Sequence, residues 1–198
     1  CRVALPLARA GMDVVGVDLS ADMLAVLEQS LVREPPLRER LRLHLGDARS
    51  LALERRFPLV LCPFNGIAHH RNDTELDAFL SRVLEHLTPG GHFAFDVLLA
   101  EPCWTQESVS TVPRFTHPRT GRVCRMEQRI RYEEEQSLME VLVQIRALEG
   151  EEECQELRLS LRIYRPGEIA RHLGKRGFIQ VDEGQLFGDS QNFVFRAP

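Results

Sequence analysis

Four polar residues follow apolar runs in the first half of the chain: Asp18 after VVGV, Asp47 after LRLHLG, Asn65 after FPLVLCPF and Asp96 after HFAF. A carboxylate can accept hydrogen bonds from both hydroxyls of a ribose, and an acid ending a strand is well placed to do so. The same acid serves as a turn or cap residue, because Asp readily bonds its own backbone nearby. Asp47 has a parallel choice between capping a turn and framing an adenine. His69 and His70 follow Asn65 and offer an imidazole suited to proton transfer near neutrality. Their other reading is a polar loop pair. Asn65 either accepts from a substrate amine or shapes its own turn.

The elements that must position these residues are legible from periodicity. A helix beginning near residue 2 holds Pro6 in its first turn, where the missing N–H costs little, and stops at Gly11. Val14, Val15 and Val17 predict a strand over 13–18, and Ser20 caps a helix from Ala21 to about Leu31. After Pro35 and Pro36, residues 41–45 alternate as a short strand. FPLVLCPF (57–64) is apolar without alternation, so it is expected to lie buried in a parallel sheet. Residues 73–87 carry apolar side chains at 76, 79, 80, 83, 84 and 87, one face of a helix. TPGG (88–91) ends that helix, and HFAFDVLL (92–99) is another buried strand. Strands alternating with helices imply a right-handed, mostly parallel α/β sheet, with ligands beyond the carboxyl ends of its strands.

The pattern changes after residue 100. Three stretches with period-two character, 122–134, 137–149 and 157–165, predict a three-stranded antiparallel insertion covered on one face. The acidic EGEEE (149–153) reads as a solvated hairpin turn and not a metal site. Pro166 and Gly167 open a helix (168–175), and strands at 178–187 and 192–196 close the chain. The resulting division is a core of 1–100, an insertion of 101–165 and closing elements of 166–198.

Bulk properties narrow the function. The 198 residues suit a single domain with a substantial core. A formal net charge of −4 argues against a general nucleic-acid binder, since phosphates want a basic surface. Five scattered cysteines without a C-x-x-C pair argue against a disulfide framework or zinc site and make a reducing compartment the default. No apolar run approaches the ~18 residues of a membrane span. A cytoplasmic protein with no membrane partner is the expectation.

Together, RVALPLARAGMDVVGVDLSADML (2–24), GDARSL (46–51), LVLCPFNGIAHH (59–70) and LTPGGHFAFDV (87–97) resemble the class I S-adenosylmethionine-dependent methyltransferases, in their small-molecule branch. The likeness covers residues 2–100 well and 166–196 moderately, while the insertion matches only in kind. It implies a Rossmann-like, mostly parallel seven-stranded-type sheet with a C-terminal antiparallel strand pair and an antiparallel lid. It also implies S-adenosylmethionine as cofactor, a small-molecule substrate methylated on nitrogen or oxygen, and a possible homodimer. Carried over residue by residue, Cys1, Asp18, Leu19, Met23, Asp47, Ala48, Pro63 and Phe64 contact the cofactor. Asn65, Trp104, Tyr132 and Tyr164 line the substrate pocket, and His69 and His70 supply a base. CPFN departs from the Asn-Pro-Pro-Tyr signature of enzymes that methylate DNA bases, which disfavours a nucleic-acid substrate. The family's first strand and Gly-x-Gly-x-Gly loop do not precede the match, and Cys1 stands at the last glycine's place. If the protein begins there, weak or no cofactor binding is expected, and the alternative function is a non-catalytic binding or scaffold protein. An NAD-dependent oxidoreductase would share the acid at 18, but the chain has no Tyr-x-x-x-Lys pair.

Overall fold

A computed structural model describes residues 2–99, 107–117, 120–148, 154–187 and 190–198. Helix α1 (Ala4–Arg9) leads to β1 (Val14–Asp18), α2 (Ala21–Arg33), a 3-10 turn (Pro35–Glu39) and β2 (Leu41–Leu45). Strands β1 and β2 run parallel, in register from Val14↔Leu41 to Asp18↔Leu45. Leu5, Ala8, Leu27, Leu31 and Leu41 form a small core where α1 and α2 cover this pair. Burying these side chains, at about 1.5–3 kcal/mol for each large one, holds the two helices against a ladder of only two strands.

The larger sheet has the order β3-β4-β10-β9. Strands β3 (Phe57–Cys62) and β4 (Leu87–Leu98) are parallel, while β10 (Ser190–Arg196) runs antiparallel to both β4 and β9 (Ile179–Phe187). The antiparallel C-terminal pair is thus present as the resemblance implies. Helices α3 (Asp73–His86) and α4 (Glu168–Gly174) contribute Leu76, Phe79, Leu80, Val83, Ile169 and Leu173 to the main core, against Phe93, Phe95 and Phe195 of the sheet. Asn72 caps α3, its side chain accepting from the Glu75 N–H at 3.0 Å.

Several expectations are corrected. The strands of the core form two separate sheets among the described residues: β1 pairs only with β2, and β3 only with β4. Among the described residues β3 pairs on one side only, with β4, and Leu59 (44% exposed) and Leu61 (38%) face outward. TPGG does not separate helix from strand. It bulges within β4, whose pairing jumps from Phe57↔Leu87 to Leu59↔His92. Gly90 there has φ +71°, and a Cβ on Gly91 would meet the Thr88 carbonyl oxygen at 2.9 Å, so the bulge demands both glycines.

The insertion has four strands instead of three: β5 (Glu107–Thr116), β6 (Val123–Glu133), β7 (Leu138–Ala147) and β8 (Cys154–Arg162), in that order. β5 was missed because it is an exposed edge and has no apolar alternation to read. Its Pro113 falls at the register shift between Val112 and Phe115, where no ladder N–H is needed. The EGEEE turn lies outside the described residues. Arg162 ends β8 and ties the insertion to the core: its Nη2 contacts Asp73 and Glu168, both at 2.7 Å. Among the described residues no helix is long and apolar enough to cross a membrane, and no cluster of His, Cys, Asp or Glu is arranged to hold a metal.

Candidate active site

The register of β1 and β2 delivers Asp18 and the GDAR segment (46–49) to the same end of their sheet. Asp18 Oδ1 accepts the Ser20 N–H at 2.8 Å, and Ser20 Oγ accepts the Met23 N–H at 3.3 Å at the head of α2. The turn reading therefore accounts for one oxygen of Asp18. Oδ2 has no hydrogen-bond partner among the described residues and keeps its acceptor capacity. Leu19 (71% exposed) and Met23 (50%) stand beside it as apolar neighbours.

Asp47 is held by its own neighbour. Its Oδ1 accepts the Arg49 backbone N–H at 2.8 Å, while the Arg49 guanidinium contacts Oδ1 at 3.0 Å and Oδ2 at 2.7 Å. These hydrogen bonds push the Asp47 carboxyl down to about 2. Arg49 also reaches Glu75 on α3 at 3.2 Å, and Ala48 packs half-buried against the main core. A second staple was not foreseen: the Leu53 N–H donates to His86 Nε2 at 2.8 Å. That fixes the proton on Nδ1, which donates to the Arg82 carbonyl at 2.7 Å.

The loop after β3 has the most unusual backbone. Phe64 (φ 61°) and Asn65 (φ 55°) are consecutive left-handed residues, common enough for Asn but an outlier for a bulky aromatic. Asp96 holds them there, its Oδ1 accepting the Phe64 N–H at 2.6 Å and its Oδ2 the Asn65 N–H at 2.9 Å. Asn65 Oδ1 in turn accepts the Leu98 N–H at 3.1 Å, so that oxygen is already engaged. Asp96 stood out in the sequence as a strand-end acid, but its partners lie more than thirty residues away and left no local signal. Phe64 is 51% exposed, with the Arg2 guanidinium 3.8 Å over its ring, and Pro63 beside it is exposed. Burial pushes the Cys62 thiol up to about 12, helped by the Asp96 charge, which removes thiolate chemistry from this loop.

The two histidines part company. His69 is exposed. His70 is buried and stacked on Phe79, with ring centroids 4.3 Å apart. Burial, reinforced by the Arg49 charge, lowers its pKa to about 4, so it is neutral at pH 7 and a weak base. Tyr164 is fully buried, and its hydroxyl donates to the Ile67 carbonyl at 3.3 Å, which sets it in the core and away from any open surface. Tyr132 is half-buried beside Leu98, Met139 and Val141, where the insertion meets the end of β4. Cys1 and Trp104 lie outside the described residues.

Comparison with known proteins shows what this arrangement is similar to. Residues 1–91 match a family model described as a methyltransferase domain. The chain is 36% identical over 129 residues to the dTDP-3-amino-3,6-dideoxy-alpha-D-glucopyranose N,N-dimethyltransferase of Streptomyces fradiae, a match covering 58% of this chain and 46% of that protein. It is 32% identical over 130 residues to the dTDP-3-amino-3,4,6-trideoxy-alpha-D-glucopyranose N,N-dimethyltransferase of Streptomyces venezuelae, covering 58% and 50%. The chain thus spans about half the length of the curated relatives it matches. Its fold superposes on the CcbJ methyltransferase of Streptomyces caelestis with a TM-score of 0.83 at 22% identity, over 99% of this chain and 79% of that one. Residues 1–91 thus match a methyltransferase domain, and the chain as a whole shares the fold of a solved methyltransferase.

Proposed function

We propose that this protein transfers a methyl group from S-adenosylmethionine to the amino nitrogen of a small molecule, with a nucleotide-linked amino sugar as the substrate class. The observation that carries the reading is the β1–β2 register, which brings Asp18, with one oxygen unpartnered, and the Asp47–Arg49 pair to one end of a sheet. Likeness to two amino-sugar N,N-dimethyltransferases supports nitrogen over oxygen as the acceptor.

The residues fit an adenosyl group. Asp18 Oδ2 would accept the ribose hydroxyls, Leu19, Met23 and Phe64 would cover apolar faces, and Ala48 and Asp47 would edge the adenine. Cys1 and Pro63 belong to the same proposed cradle. When bound, S-adenosylmethionine supplies an electrophilic sulfonium methyl. The protein's contribution is to align the acceptor and exclude water. His69, exposed in the turn after β3, would take the proton that the amine sheds, whereas His70, buried and weakly basic, would pack the turn. In this reading residues 1–100 bind the cofactor, 101–165 form a lid or a homodimer surface that includes Trp104 and Tyr132, and 166–198 close the core. The protein would work in the cytoplasm without nucleic acid.

The test is methyl transfer to dTDP-3-amino-3,6-dideoxyglucose, followed by S-adenosylhomocysteine formation and product mass. A product heavier by one or two methyl groups is expected. No product alongside micromolar S-adenosylhomocysteine binding would instead assign a non-catalytic binding role.

A further inference from the structure

The turn after β3 carries an inference about how the acceptor is chosen, and it rests on the amine-methylating reading above. The peptide bonds here are trans, so each carbonyl points opposite to the N–H of the next residue. The Phe64 and Asn65 N–H groups both point at Asp96. The carbonyls of Pro63 and Phe64 must therefore both point away from it, side by side. Neither has a hydrogen-bond partner among the described residues, and both residues are exposed. Two neighbouring acceptors facing outward from a wound turn make a receptor for a group with two N–H donors. Asn65, the acceptor suggested by the sequence, has its side-chain oxygen committed to Leu98.

We propose that Asp96 is a positioning residue: by gripping two successive N–H groups it holds the Pro63 and Phe64 carbonyls as a paired acceptor for a primary amine, selecting amine over hydroxyl substrates. A primary amine fills both carbonyls and keeps its lone pair for the incoming methyl. A hydroxyl has one hydrogen to give and can fill only one of the two carbonyls. After one methylation a single N–H remains, so the second transfer uses one carbonyl only. The left-handed Phe64 is the local strain that this arrangement requires, and such outliers concentrate at functional turns.

The experiment compares calorimetric binding of dTDP-3-amino-3,6-dideoxyglucose with its counterpart bearing a hydroxyl at the same carbon, both with S-adenosylhomocysteine present. The wild type should favour the amine by about tenfold or more. Asp96→Ala should bring the ratio close to unity. Asp96→Asn, which keeps one acceptor but turns an NH₂ donor toward the second N–H, should be intermediate and covers the case in which the alanine variant fails to fold. S-Adenosylhomocysteine affinity should fall less than acceptor selectivity does, since the Phe64 side of the cradle shifts while Asp18 and Asp47 stay in place. Measurement at about 0.1 M and about 1 M salt separates geometry from simple attraction between Asp96 and an ammonium, which fades with screening. A folded Asp96 variant with unchanged selectivity overturns the proposal, as does a selectivity lost only at low salt. Equal wild-type binding of both sugars, with methyl transfer to the amine intact, overturns this proposal alone. Wild-type binding of neither sugar overturns the substrate reading and this inference with it.

Discussion

Asp18 and Asp96 are the same residue type at the same kind of place, on a strand near its carboxyl end, yet they are satisfied in opposite ways. Asp18 bonds a backbone N–H two residues onward and leaves one oxygen over. Asp96 spends both oxygens on N–H groups of another strand's exit loop, fixing a backbone that would otherwise not hold. The first acid can bind something; the second builds the surface to which something binds. Identity and position in the fold therefore do not assign a role to a strand-end acid. The count of acceptor sites left after local bonding does.

His70 probes the built half of the site, and its removal from water should give the largest effect. Its pKa is lowered to about 4 in the folded protein against 6.5 in the unfolded chain. Between those values the unfolded chain binds the proton and the folded one does not, so stability should fall as pH drops from about 6.5 to about 4. At about 1.4 kcal/mol per unit this amounts to about 3 kcal/mol, fully present above pH 6.5 and gone below pH 4. Urea melts across that range should show the slope, and His70→Phe, which keeps the stack on Phe79, should flatten it. An unchanged slope would show that His70 is not the group responsible.

Asp96→Ala comes next, with an expected loss of about 2 kcal/mol. Each charge-assisted bond contributes about 1.5–3 kcal/mol when buried, discounted here because the Phe64 bond is exposed. Gly66→Ala should cost about 1–3 kcal/mol by overpacking, since a Cβ there would stand 2.8 Å from Cys62 Sγ. Thermal melts of the two variants would sharpen the contrast. If both leave the melting temperature unchanged, the turn is not the rigid element described.

How much of this was legible depends on range. The β1–α2 junction was readable because every determinant is local: Val14, Val15 and Val17, then Asp18, then the Ser20 cap. Helix α3 was readable from its apolar face, and β6, β7 and β8 from alternation. The exposed β5 had no buried face to betray it. The exposure of Leu59 and Leu61 left no local signal, because an apolar run such as FPLVLC looks the same whether one edge or both are paired. Arg49 illustrates the limit most sharply. GDAR draws attention to Asp47, but nothing local marks the arginine that engages both its oxygens and reaches Glu75.

Asp18→Ala is the smallest expected effect on stability and the most discriminating on function. Losing one partly exposed turn bond should cost no more than about 1 kcal/mol, because water can take up the freed Ser20 N–H. If Oδ2 receives ribose hydroxyls, S-adenosylhomocysteine affinity should fall by about tenfold or more, a binding effect larger than the stability effect. Asp96→Ala should behave in reverse, losing more stability and less cofactor affinity than Asp18→Ala, since it disturbs only the Phe64 side of the cradle. Calorimetry and melting on the two variants would thus cross over if one acid binds and the other builds. If Asp18→Ala leaves cofactor affinity unchanged, Asp18 is a turn residue only, and the contrast between the two acids reduces to the distance over which each one bonds.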